Sequence, residues 1–103
     1  MDKKKVDIRR VKDLSYRKPL EKSLHAIGFK EIVKPGYKVV IKVNATHYHY
    51  LPGITVTPTL VSDFVSMLKE RDAEVIVGEG DLQRCSADLA LKGSGIKDSA
   101  EDA

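Results

Sequence analysis

Cysteine is almost missing from this sequence. Cys85 stands alone among 103 residues, so no internal disulfide can close and no cysteine-only metal site can form. Long apolar runs are missing too. Nothing approaches the ~20 apolar residues of a membrane span. The first apolar residue after Met1 is Val6, and no apolar run of signal length follows it. No secretory signal is read there, and a reducing cytoplasm is the expected setting. The chain contains no G-K-[ST] triplet, which excludes a P-loop. Gly78-x-Gly80 comes nearest to a dinucleotide fingerprint, but Gln83 stands where the third glycine is required. Glu79 and Asp81 would also set two carboxylates where a pyrophosphate should lie. No Ser/His/Asp or Cys/His set can be nominated from spacing, and no internal repeat is present.

What the chain does contain is ordinary for one globular domain: 42% hydrophobic and 32% charged residues, with 18 basic against 15 acidic side chains and a net charge of +3. That excess is too small for a nucleic-acid partner, and acids are interleaved with the bases. It collects at the front, in Lys3, Lys4, Lys5, Arg9, Arg10 and Lys12. Residues 1–5 read as a flexible, solvated basic start.

The pattern along the chain alternates strand and helix. Val6–Val11 alternates like a strand with one buried face. Asp13-Leu14-Ser15 leads into a helix with Pro19 in its first turn, an apolar face of Leu20, Leu24 and Ile27, and Gly28 as terminator. Lys34-Pro35-Gly36 is a turn. Tyr37–Val43, with its continuous Val-Val-Ile, reads as an interior strand covered on both faces. Asn44–Ile54 is a loop. Thr57-Pro58 is an N-cap and first helical residue, followed by a stripe of Leu60, Val61, Phe64, Val65 and Leu68. Glu74–Val77 is a third strand and Gly78–Asp81 a loop. A short helix runs from about Ser86 to Lys92 and ends at Gly93, and the stretch from Gly93 to Ala103 is a small polar tail, with 97–103 read as its end. The order β-α-β-α-β-α implies a parallel sheet with helices on its faces. Three strands are few for it, so either other strands complete the sheet or this is part of a larger domain.

Ligands in such sheets bind beyond the carboxyl ends of the strands. Those ends carry Lys42, Asn44, Ala45 and Thr46 after the second strand, and Glu79, Gly80 and Asp81 after the third. The helix start at Thr57 opens on the same edge and could receive an anion, or Thr57 could simply cap its own helix. Glu79 and Asp81 suit a cation, a polyol, a salt bridge to Lys42, or a solvated loop. His47-Tyr48-His49-Tyr50 is the most unusual stretch. An extended chain would put His47 and His49 on one side, where both could meet a metal. Zinc needs three or four ligands, and His25, Cys85, Glu79 and Asp81 have no diagnostic spacing to supply the others. No metal is therefore expected, with His47 and His49 the weak candidates. Cys85 reads as a half-buried structural thiol, the alternative being an activated thiolate.

Several segments together resemble a family. Pro35–Asn44 (PGYKVVIKVN), Thr55-Val56-Thr57-Pro58, Ala73–Gly80 (AEVIVGEG) and Ser94-Gly95-Ile96 are similar to the "GDKVLIKPN", "TTHP", "GAEVVVGD/E" and "SGI" signatures of the domain-of-unknown-function family numbered 362. The resemblance spans roughly residues 30–100. Val43 replaces a usual proline, Ala45 a larger apolar residue, and Asp72-Ala73 a common Gly-Ala turn. The resemblance implies a Rossmann-like α/β domain of prokaryotes, in anaerobes and archaea, sometimes near redox proteins. Lys42, Asn44, Thr57 and Glu79 match its motifs. Some longer members carry an iron–sulfur cluster with grouped cysteines, which are absent here, so no cofactor is expected.

Two functions compete. The first is an α/β domain of a redox-associated protein that binds a small anionic or polyol ligand through Lys42, Asn44, Thr57 and Glu79. The second is a non-catalytic module that completes a sheet with a partner chain or a second copy. Neither nucleic acid nor membrane is an expected partner.

Overall fold

The computed structural model describes residues 3–13, 15–81 and 85–103, so Leu14 and Gln83 of the motifs above lie outside the described residues. The elements in chain order are α1 (Arg17–Ala26), α2 (Phe29–Ile32), β1 (Lys38–Lys42), α3 (Pro58–Glu70), β2 (Glu74–Gly78), α4 (Ala87–Gly93) and α5 (Ile96–Asp102). The fold is α/β, with a two-stranded parallel sheet in the register Lys38↔Glu74, Val40↔Ile76, Lys42↔Gly78. Just past β1, the Val43 N–H donates to the Gly78 carbonyl at 3.1 Å. A proline at that position could not have added this bond.

The first expected strand does not form a ladder. Val6–Val11 has no sheet partner among the described residues, and Val6 and Ile8 are 85% and 89% exposed. Asp7 accepts hydrogen bonds from Arg9 and from the Ser23 hydroxyl of α1, so the segment lies on a helix instead. The covered interior strand is also corrected. Along β1 exposure alternates: Val39 and Ile41 are half-buried, while Val40 is 64% exposed beside Ile76 at 43%. With helices packed on one side alone, alternate side chains of both strands face solvent.

On the covered side α3 supplies the main buttress. Pro58 sits at its first position, and Val61, Val65 and Leu68 are buried at helical spacing. Leu68, Phe29, Val33 and Ala73 form one core cluster with Val39, Ile41 and Val75 against it; Val43, Ala45, Val61, Val65, Ala90 and Ile96 form the other. Phe29 comes from α2, a single turn that follows Gly28 at φ +83°. The polar tail is corrected as well: α5 buries Ile96 and packs Ala100 and Ala103 against the second cluster. These three recur at i, i+4 and i+7, a helical stripe that is thin because two of its members are alanines. Gly95 at φ +85° makes the turn into α5.

Candidate functional site

Glu79 is the residue on which the strand ends converge. It leaves β2 as the first residue past Gly78, and its side chain is only 4% exposed. Lys42 Nζ meets its Oε1 at 2.8 Å. The Gly80 N–H donates to Oε1 at 3.0 Å and the Ala45 N–H to Oε2 at 3.1 Å. The Lys42 ammonium, chiefly, and the two backbone N–H groups hold this carboxyl below the usual carboxylate range, although burial opposes them. Lys42 Nζ also lies 3.3 Å from Asn44 Oδ1 and 3.2 Å from the Val43 carbonyl, with its side chain largely exposed.

Lys42, Asn44 and Glu79 thus share one edge, as the strand order implied. Thr57 stands near them through the chain: the neighbouring Val56 N–H donates to the Asn44 carbonyl at 3.0 Å. The Thr57 hydroxyl does not join the cluster. It pairs with the Tyr16 hydroxyl at 3.2 Å and makes no side-chain cap for α3. Asp81 points elsewhere, accepting from the Ala87 N–H at 2.9 Å where α4 begins. Of the alternatives for this acidic pair, Glu79 takes the salt bridge to Lys42, while Gly80 and Asp81 stay exposed to solvent.

Two residues of this edge escape sequence reasoning. Ala45 is fully buried, and its carbonyl accepts from His47 N (2.7 Å), the Thr46 hydroxyl (2.7 Å) and the Thr55 hydroxyl (3.3 Å). Thr55, 5% exposed, also takes the Leu51 N–H at 3.1 Å and so knits the loop back to the strand end. Thr46 adopts φ +57°, a conformation costly for a β-branched residue. The one signal for this hub is Ala45, a small residue where a larger apolar one is usual.

The His47 and His49 rings stand edge to face, 4.5 Å apart, with Tyr48 against both. His47 Nδ1 is buried without a hydrogen-bond partner among the described residues. Among the described residues no group of three or more His, Cys, Asp or Glu is placed to hold a metal. Cys85 is half-buried against the core. No described helix is long and apolar enough to cross a membrane.

Three cavities lie away from this edge. One, about 410 Å³, opens between α1, α2 and α3 over Leu24, Phe29 and Met67. A second, about 400 Å³, lies beside β2 and is floored by Val65, Val75, Val77, Leu91, Ile96 and Ala100. A third, about 200 Å³, sits where Arg9 and Val11 cross Leu20 and Leu60. None is lined by Lys42, Asn44, Thr57 or Glu79.

Chemically, the edge is a finished clamp. A carboxylate with lowered proton affinity and both oxygens engaged is a poor base. No curated protein and no solved structure matches the chain. A family model does, over residues 39–103, from the start of β1 through the Glu79 clamp to α5. The chain belongs to the family described as Domain of unknown function (DUF362).

Proposed function

We propose that this domain is a non-catalytic assembly module whose sheet is completed by a further polypeptide segment. The observation that carries the reading is the open sheet, with Val40 and Ile76 side by side in water at 64% and 43% exposure. Parallel sheets are ordinarily covered on both faces, and a two-stranded sheet is marginal alone. The edges are open too. The Glu74 N–H bonds the Tyr37 carbonyl and the Gly78 carbonyl takes the Val43 N–H. In a parallel ladder this turns the backbone groups of Val75 and Val77 to the outer edge of β2. On this reading the Lys42–Glu79 clamp holds the two strand ends in register.

Amide exchange followed as a function of chain concentration tests it. The Val75 and Val77 amides should gain protection as the chain associates, while Ile76, already laddered, should not change. Val75 and Val77 exchanging freely at every concentration, with Ile76→Lys leaving sedimentation unaltered, would reject the reading.

The ligand-binding reading draws support from Lys42 and Asn44, whose side chains are exposed on one edge. Under it, an anion or polyol would have to compete with Glu79 for Lys42. Asn44→Ala should then abolish a ligand-induced rise in melting temperature while leaving the free protein unchanged.

A further inference from the structure

Two features of the chain lack a partner among the described residues of one copy, and they complement each other. The first is the segment 6–11. Its odd-numbered side faces its own body: Asp7 takes the Ser23 hydroxyl of α1 and pairs within the segment with Arg9 at 2.8 Å, while Arg9 and Val11 line the small cavity shared with Leu20 and Leu60. Alternation then turns Val6, Ile8 and Arg10 outward, and Val6 and Ile8 are the most exposed large apolar side chains described. The second is the cavity of about 400 Å³ beside the outer edge of β2, aliphatic within and rimmed by Asp88, Lys97 and Glu101.

We infer that the segment 6–11 of one copy seats in the β2-side cavity of a second copy, and reciprocally, in a two-fold dimer. This rests on the reading of the domain as a sheet-completing module and names its partner. Val6 and Ile8 enter the cavity, which has ample room, since an apolar cavity of about 150 Å³ already holds a benzene molecule. The backbone between them runs along β2 and meets the outward groups of Val75 and Val77. Arg10, next on the same side, reaches the rim carboxylates Asp88 and Glu101. The segment carries Asp7, Arg9 and Arg10, a net positive charge, and Arg10 joins two exposed pairs on the rim, Asp88 with Lys92 at 3.0 Å and Glu101 with Lys97 at 3.9 Å, whose carboxylates can accept a further donor. A second copy is the occupant because each copy's own segment is fastened with its apolar side facing away. A two-fold arrangement satisfies the donor and acceptor surfaces of both copies and leaves neither to propagate.

Sedimentation velocity on the full chain tests this, with melting followed by circular dichroism to establish that each variant folds. The wild type should dimerise. Ile8→Asp should raise the dissociation constant at least about tenfold, without unfolding the monomer, since Ile8 is 89% exposed. Arg10→Glu should weaken the dimer, and Arg10→Glu combined with Glu101→Lys should restore it. Val75 and Val77 amides should be protected in the wild-type dimer and released in Ile8→Asp. A dimer indifferent to Ile8→Asp and Arg10→Glu, with Val75 and Val77 still protected, would overturn this occupant while leaving sheet completion standing. A wild-type monomer whose Val75 and Val77 amides exchange freely would overturn both.

Discussion

Ionised, and with both oxygens engaged, Glu79 ties the end of β1 to the end of β2 through Lys42, Ala45 and Gly80. Its lowered pKa gives the tie a pH signature. The stabilisation is fully present above the carboxyl's unfolded pKa, about 4.3. It is lost as pH falls through the lower folded value. Urea midpoints measured from pH 7 down to pH 2 should therefore drop below about pH 4, and Glu79→Gln should flatten that limb. At neutral pH the same substitution should cost roughly 1–3 kcal/mol, because the amide cannot accept from all three donors. Gly93 makes a different residue-scale demand. A Cβ there would fall on the Tyr48 carbonyl, so the glycine permits the loop carrying His47 and His49 to lie against α4. Gly93→Ala should destabilise by about 1–3 kcal/mol, read as a lowered urea midpoint with an unchanged m-value.

At the scale of elements, α5 and the segment 6–11 exchange the roles that local pattern assigned them. The α5 segment, IKDSAED, is polar in composition, yet Ile96 is fully buried and Ala100 lies one turn above it. Ile96→Ala should therefore cost about 2–5 kcal/mol, as at a core position, whereas a solvated tail would register almost nothing. Equilibrium unfolding separates these outcomes cleanly. The segment 6–11 shows the reverse. Its alternation is sound, but a strand is stable only when a neighbour accepts its backbone bonds. The turn into β2 follows from the backbone: Asp72 adopts φ +59°, the region that a Gly-Ala turn would occupy without strain, and aspartate is among the residues that tolerate it.

For the whole molecule, the proposed consequence of a one-sided sheet is association. If the open face is covered in the associated state, melting temperature should rise with chain concentration. Ile76→Lys should leave the monomer within about 0.5 kcal/mol of wild type, since the side chain is already in water. It should abolish the concentration dependence if that face is the interface, and leave it intact if the dimer is built on the segment 6–11 and the outer edge of β2. Calorimetry over a hundredfold range of concentration would show either result, and an unchanged slope in Ile76→Lys would exclude that face from the interface.

Local signals were enough for much of this protein. Thr57-Pro58 marks the start of α3, since proline's fixed φ and missing N–H suit a first helical turn. The spacing of Val61, Val65 and Leu68 identifies its buried face. The parallel order then places Lys42, Asn44 and Glu79 on one edge before any coordinates are known, because parallel strands share their carboxyl ends. Tertiary structure decided what those residues do. That Glu79 is buried and saturated depends on the Ala45 and Gly80 N–H groups, which every residue possesses and no residue type announces. Val40 and Ile76 read as core because hydrophobic runs record what a strand can bury, while exposure depends on which layers are present to bury it. The register of apolar side chains was written in the sequence; the number of layers packed around them was a property of the fold.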